Sequence, residues 1–76
     1  MKEMTLRGFD SWDRAVYTDL SGNIWKTDEP VTEKLAMDTE YIKKICLYDS
    51  YEFDGDPGWP LEEDFEILLV SKGEPR

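Results

Sequence analysis

Histidine is absent from this chain of 76 residues. Histidine is the commonest general acid–base group and a frequent metal ligand, because its unperturbed pKa lies close to neutral pH. The sequence also lacks a glycine-rich phosphate loop, a nucleophile elbow and a Cys-x-x-Cys pair. We therefore predict that the protein is not an enzyme and requires no cofactor.

Cysteine is almost absent as well, since Cys46 stands alone and cannot form an internal disulfide. A small domain without disulfides fits a reducing compartment better than the extracellular space. No apolar run approaches the roughly 20 residues that a bilayer-spanning helix needs, and residues 1–5 lack the apolar core of a signal peptide. We therefore expect a cytoplasmic protein, with Cys46 as a buried structural thiol in the apolar run at 45–48.

Basic residues are scarce, with 9 Lys and Arg against 18 Asp and Glu, which gives a net charge of −9 and a pI near 4.3. Nucleic-acid phosphates and anionic membranes would repel such a chain, so we expect it to bind neither directly. A basic protein partner is favoured instead. The hydrophobic residues, 39% of the total, are spread along the whole length, which predicts a single acidic globular domain over residues 1–76.

A β-hairpin is the clearest local signal. Residues 15–18 and 24–27 are rich in β-branched and aromatic side chains, and five turn-forming residues separate them. Strand alternation places Tyr17 and Trp25 on one face, opposite the face of Val16 and of the isoleucine that begins the second strand. Because both faces carry apolar side chains, one should pack on the core and the other should be partly covered.

The remaining segments complete a mainly β prediction. Residues 65–70 are apolar enough for a central strand, and residues 5–7 suit a short edge strand. Residues 31–37 allow a short helix after a proline, whereas residues 41–48 fit both helical and strand periodicity. We favour a strand at 44–48. The predicted fold class is therefore a small antiparallel sheet of four or five strands with little helix.

A long loop, residues 49–64, is the second unusual feature, because loops of this length in small domains are usually functional or packed on themselves. No basic residue stands between Lys44 and Lys72, and that interval holds eight acidic residues. The Asp-Gly-Asp run at 54–56, with Glu52, offers the oxygen ligands that calcium prefers. The EF-hand pattern, however, would place Leu61 where a bidentate carboxylate is required. We therefore predict no metal site.

The loop instead predicts a surface for a basic protein partner. Acidic side chains on a rigid loop can imitate nucleic-acid phosphates, while aromatic side chains supply the desolvated contacts that charge alone does not provide. The candidate partner-binding residues are Glu52, Phe53, Asp54, Asp56, Trp59, Glu62 and Glu63. The competing interpretation is that these acids are solvated and only keep the protein soluble.

Three short motifs carry a family resemblance. They are GFDSWDRAVY at residues 8–17, GNIWK at 22–26 and FDGDP at 53–57. In this order they resemble a family of small uncharacterised proteins encoded by bacteria, phages and other mobile elements. The resemblance implies a setting in which short acidic proteins often inhibit host defence nucleases, as anti-CRISPR and anti-restriction proteins do. It assigns no catalytic or binding residue.

Two functional hypotheses follow from the sequence. The first is a non-enzymatic binding protein, a phage or mobile-element inhibitor that occupies a basic nucleic-acid groove of a host protein. The second is a small structural or accessory protein whose acidic surface only confers solubility, with aromatic residues that could also support a homodimer.

Overall fold

Five strands and two short helices make up the fold in the computed structural model, which describes residues 2–67. Their bounds are β1 (Lys2–Phe9), β2 (Ala15–Thr18), β3 (Ile24–Thr27), α1 (Glu33–Ala36), α2 (Thr39–Ile45), β4 (Leu47–Ser50) and β5 (Phe65–Ile67). Strand at 36% against helix at 17% confirms the mainly β fold class. Within residues 2–67, no helix is long and apolar enough to cross a membrane.

The strands form one sheet in the order β4-β3-β2-β1-β5. Three of the neighbouring pairs are antiparallel, as expected, but β1 and β5 pair in parallel, so the sheet is mixed. The parallel pair joins Lys2 to Phe65 and Met4 to Ile67, which brings the two ends of the described chain side by side.

Two strand positions differ from the sequence predictions. Residues 5–7 are not an edge strand, because β1 is longer than expected and is flanked by both β2 and β5. The strand predicted as central at 65–70 instead lies at the end of the described sheet, and residues 68–70 are outside the described residues. Phe65 and Ile67 are buried while Glu66 is exposed, which is the alternation of a strand with one solvated face.

The chain between β4 and β5 curls the sheet. Pro60 forms an antiparallel bridge with Tyr48, and the Leu61 N–H donates to the Leu47 carbonyl at 2.7 Å, so this segment lies along the free edge of β4. Only residues 62–64 then separate it from β5, which pairs on the opposite side of the sheet. The two edges are therefore drawn toward one another.

The predicted hairpin is confirmed. Tyr17 pairs with Trp25, and the turn between them is held by the Asp19 carboxylate, which accepts two backbone N–H groups of the turn at 2.9 Å. Gly22 supplies the positive φ, +89°, that the turn needs. Tyr17 is fully buried and Trp25 packs against the core, while Val16 is fully buried on the other face.

The ambiguous segment at 41–48 contains both kinds of structure. Asp38 caps α2 by accepting the Tyr41 N–H at 3.2 Å, and the helix continues to residue 45. Cys46 then adopts φ +72°, which ends the helix and allows β4 to begin at Leu47. The strand prediction for 44–48 is therefore wrong for 44–46 and correct for the last two residues, and the Cys46 thiol is half-buried rather than buried.

Both helices pack on one face of the sheet, which we call the inner face. The buried core on this face comprises Met4, Leu6, Ala15, Tyr17, Ala36, Ile42, Leu47, Phe65 and Ile67. The Tyr17 hydroxyl donates to the Ala36 carbonyl and thereby ties β2 to α1, the short helix expected within residues 31–37. The opposite, outer face is left for the loop that follows β4.

Candidate functional site

Residues 51–57, here called the outer loop, cover part of the outer face. The Phe53 ring lies against Gly8, where an added Cβ would come within 3.3 Å of the ring. Gly8 also has φ +151°, so both its backbone conformation and the ring above it favour glycine. Gly8 pairs with Val16 of β2 in the sheet, and Val16 is fully buried, so the loop also lies over β2.

A buried lysine fixes the backbone of the outer loop. The Lys26 ammonium, on β3, donates to the Asp10 carboxylate at 2.9 Å, to the Phe53 carbonyl at 2.8 Å and to the Gly55 carbonyl. These three acceptors match the three donors of an ammonium group. Lys26 is fully buried, so its charge holds the loop without being available at the surface.

Asp10 is the anionic centre of this arrangement. One carboxylate oxygen accepts the backbone N–H groups of Trp12 and Arg14 at 2.9 and 3.0 Å. The other accepts the Arg14 guanidinium at 2.8 Å and the Lys26 ammonium. We call Asp10, Arg14 and Lys26 the buried ion network, because all three are at least nine-tenths buried.

Burial by itself raises the pKa of Asp10, because it disfavours the charged carboxylate. The hydrogen bonds from Lys26, from the Arg14 and Trp12 backbone and from the Arg14 side chain outweigh burial and lower the pKa to about 2, from 3.8. Asp10 is therefore charged throughout the physiological range, as the network requires.

This pKa predicts a loss of stability in acid. A carboxyl group whose folded pKa lies below its unfolded value stabilises the fold above the unfolded pKa and ceases to do so as pH falls through the folded pKa. For Asp10 the window extends from near pH 4 down to about pH 2, and the expected loss is about 2 kcal/mol. Urea unfolding across this window, with NMR titration of the Asp10 carboxyl carbon, measures it. A titration midpoint at pH 4 or above would contradict the prediction.

Asp54 ties the outer loop to the turn that follows β1. One of its carboxylate oxygens accepts both the Ser11 N–H at 2.8 Å and the Ser11 hydroxyl at 2.9 Å. Both hydrogen bonds lower the pKa of Asp54, and the one from the backbone N–H has the larger effect. A candidate partner-binding acid therefore also has a structural contact, although the residue as a whole is exposed.

The structure brings four of the seven candidate residues together on the outer loop. Glu52, Asp54 and Asp56 are exposed there, and Phe53 keeps 42% of its surface accessible although its ring contacts Gly8. Within residues 2–67, Asp56 makes no hydrogen bond or ion pair. These four candidate residues therefore lie within five consecutive positions of one loop.

The other three candidates lie outside the outer loop. Trp59 is beside the edge of β4, where its N–H donates to the Asp49 carboxylate at 2.7 Å and its indole is 78% exposed. Glu62 and Glu63 follow the curl toward the inner face, and Glu63 pairs with the Lys2 ammonium at 2.9 Å. The curl of the sheet therefore separates these two acids from the outer loop.

Trp12 adjoins the outer loop and was not among the candidate residues. Its indole is 70% exposed, and its neighbour Ser11 is the residue that binds Asp54. The Arg14 guanidinium lies 5.8 Å from the centre of the indole ring. The sequence signal that could have found this position is the spacing Asp10-x-Trp12. An aspartate whose side chain accepts the N–H of the residue two positions later forms a tight turn, and such a turn presents the later residue at the surface.

An open groove continues the acidic surface on the other side of this turn. It has a volume of about 470 Å³, and its apolar lining is formed by Phe9, Pro30, Val31 and Leu35. The charged residues in its lining, Asp13 and Glu33, are both acidic. Among residues 2–67 there is no group of three or more Cys, Asp or Glu side chains arranged to hold a metal ion.

No family model matches the chain, and no curated protein or solved structure is significantly similar to it. The resemblance to mobile-element proteins therefore remains a prediction.

Proposed function

We propose that the protein is a non-enzymatic binding protein that presents the outer loop and Trp12 to a basic surface of a protein partner. The observation that carries this proposal is that the nearby cations are buried. Arg14 and Lys26, the basic residues in contact with the outer loop, are both buried and bound to Asp10. Among residues 2–67, the acids of the outer loop are exposed and form no ion pair with a surface cation, so their negative charge faces solvent.

The fixed backbone of the outer loop supports binding rather than solubility alone. Lys26 holds two of its carbonyls, and the Asp54–Ser11 contact holds its side nearest the turn. A loop that is already ordered loses less conformational entropy when a partner binds, which strengthens association. Solubility needs charge but does not need charge in a fixed arrangement.

The partner that fits this surface is a basic groove that otherwise holds nucleic acid. Carboxylates on a rigid loop can occupy the positions of phosphates, and Tyr51, which is fully exposed, and Phe53 can supply apolar contacts. In a phage or another mobile element, such a protein would inhibit a host defence nuclease of the anti-CRISPR or anti-restriction target class. The alternative remains an accessory protein whose charge serves solubility only.

A charge-reversal experiment tests the proposal. The double variant Glu52→Lys, Asp56→Lys should lose at least tenfold in affinity for a basic partner captured from host lysate, because several exposed like charges act together at the contact. Asp54 is left unchanged, since its reversal would also break the Ser11 contact. The control is Asp28→Lys, Glu40→Lys, which changes the net charge equally at exposed positions outside the outer loop.

The measurement is biosensor binding to the purified partner over a range of salt, followed by competition with duplex DNA. The affinity of the wild-type protein should fall steeply as salt rises, and DNA should displace the protein. If DNA and the protein bind the partner together without interference, the mimicry is wrong. Equal losses in the loop variant and in the control would favour a general charge effect and the solubility interpretation.

A further inference from the structure

Trp12 is an exposed aromatic side chain on a backbone that is already fixed. Its N–H is bound by the Asp10 carboxylate, and the Asp13 N–H donates to the Asp10 carbonyl at 2.9 Å, which closes the turn. Asp13 has φ +63°, a conformation that aspartate tolerates better than most residues. The indole therefore projects from a rigid turn with 70% of its surface in solvent.

The indole already contacts one guanidinium. The Arg14 guanidinium carbon is 5.8 Å from the ring centre, within the range in which a cation is attracted by the π-face of tryptophan. The Asp10 carboxylate at 2.8 Å, which Arg14 shares with Lys26, offsets part of the Arg14 charge, so Arg14 repels a second cation less than an unpaired arginine would. The exposed surface of Trp12 is thus available for a group of the same kind.

The surroundings of Trp12 favour arginine over lysine. A guanidinium is planar, stacks on aromatic rings and binds carboxylates through paired hydrogen bonds, whereas an ammonium is compact and strongly hydrated. Asp13 follows Trp12 and is exposed, and Asp54 and Asp56 lie on the adjoining outer loop. A stacking ring and carboxylates in one region are the two groups that an arginine side chain uses together.

We infer that the exposed surface of Trp12 binds an arginine side chain of the partner, with the acids beside it as hydrogen-bond acceptors. This inference rests on the proposed function and specifies its partner chemistry. Trp12 would then be the contact that distinguishes an arginine-bearing surface from one that is merely basic, while the outer-loop acids attract both kinds.

Arginine-rich and lysine-rich peptides of equal length and charge provide the test. The wild-type protein should bind the arginine-rich peptide about twofold to fivefold more tightly by titration calorimetry at low salt, as expected for one exposed cation–π contact. Trp12→Ala should abolish that preference, while Trp59→Ala, which removes another highly exposed tryptophan, should retain it. In NMR spectra the Trp12 indole N–H signal should shift on addition of the arginine-rich peptide more than the Trp25 signal does.

The outcomes separate this inference from the proposed function. Equal affinity of the two peptides for the wild-type protein, or a preference that survives Trp12→Ala, would overturn the inference. If the variant Glu52→Lys, Asp56→Lys then still loses affinity for both peptides, the outer loop remains the proposed binding surface and only the arginine site is wrong. If Glu52→Lys, Asp56→Lys binds both peptides as tightly as the wild type, the proposed surface fails and the arginine site fails with it. Thermal unfolding of each variant confirms that the loss is not one of folding.

Discussion

Lys26→Met should lower the free energy of unfolding by about 3–5 kcal/mol, because three buried acceptors lose their common donor. Methionine fills a similar volume but removes the ammonium. The Asp10 carboxylate would then keep only Arg14 as a cationic partner, and the Phe53 and Gly55 carbonyls would lose their common donor. Buried polar groups without partners lose the hydration that the unfolded chain retains, so the folded state becomes less stable.

Urea unfolding of Lys26→Met against Lys44→Met measures this effect, since Lys44 is an exposed lysine at the end of α2. The control should change the free energy of unfolding by less than about 0.5 kcal/mol. A Lys26→Met variant within about 1 kcal/mol of the wild type would show that the network contributes little.

Lys26 also shows why the sequence predicts the hairpin but not the site. The hairpin depends on neighbouring residues, namely two β-rich runs and a turn with Gly22, and these act locally. A lysine in a strand is ordinarily expected at the surface. Its burial depends on Asp10 and on carbonyls 27 and 29 residues further along the chain, and no local pattern specifies those contacts.

The same distinction explains the errors in the fold. The helical spacing of Tyr41, Ile42, Ile45 and Tyr48 was visible in the sequence. The change from α2 to β4, however, depends on one residue, Cys46, with positive φ. The parallel pairing of β1 with β5 joins residues more than 60 positions apart, and periodicity carries no information about such pairings.

Closeness in sequence matches the spatial arrangement of the candidate residues only where the chain does not turn. Residues 52–56 lie on one loop. Glu62 and Glu63 are close to them in sequence but follow the chain around β4 to Lys2. Trp12 is far from the loop in sequence and reaches it through the Ser11–Asp54 contact, which only the tertiary structure reveals.

Trp25→Ala should lower the free energy of unfolding by about 3 kcal/mol. The indole packs against the inner-face core, and the Lys2 ammonium lies 5.9 Å from its ring centre. Its N–H donates to the Asp19 carboxylate at 3.1 Å, the same carboxylate that holds the hairpin turn. The expected loss lies at the lower end of the range for tryptophan truncation, because Trp25 is only partly buried.

Trp25→Phe separates the two contributions, since phenylalanine retains much of the packing but cannot donate to Asp19. We expect it to recover about 2 kcal/mol of the loss and to leave about 1 kcal/mol, the usual net contribution of one hydrogen bond. Trp59→Ala is the matched control, because that indole is 78% exposed and its removal should leave the urea midpoint nearly unchanged. Equal midpoints for Trp25→Ala and Trp59→Ala would mean that the inner face of the hairpin does not pack on the core, and the register of β2 with β3 would then have to be revised.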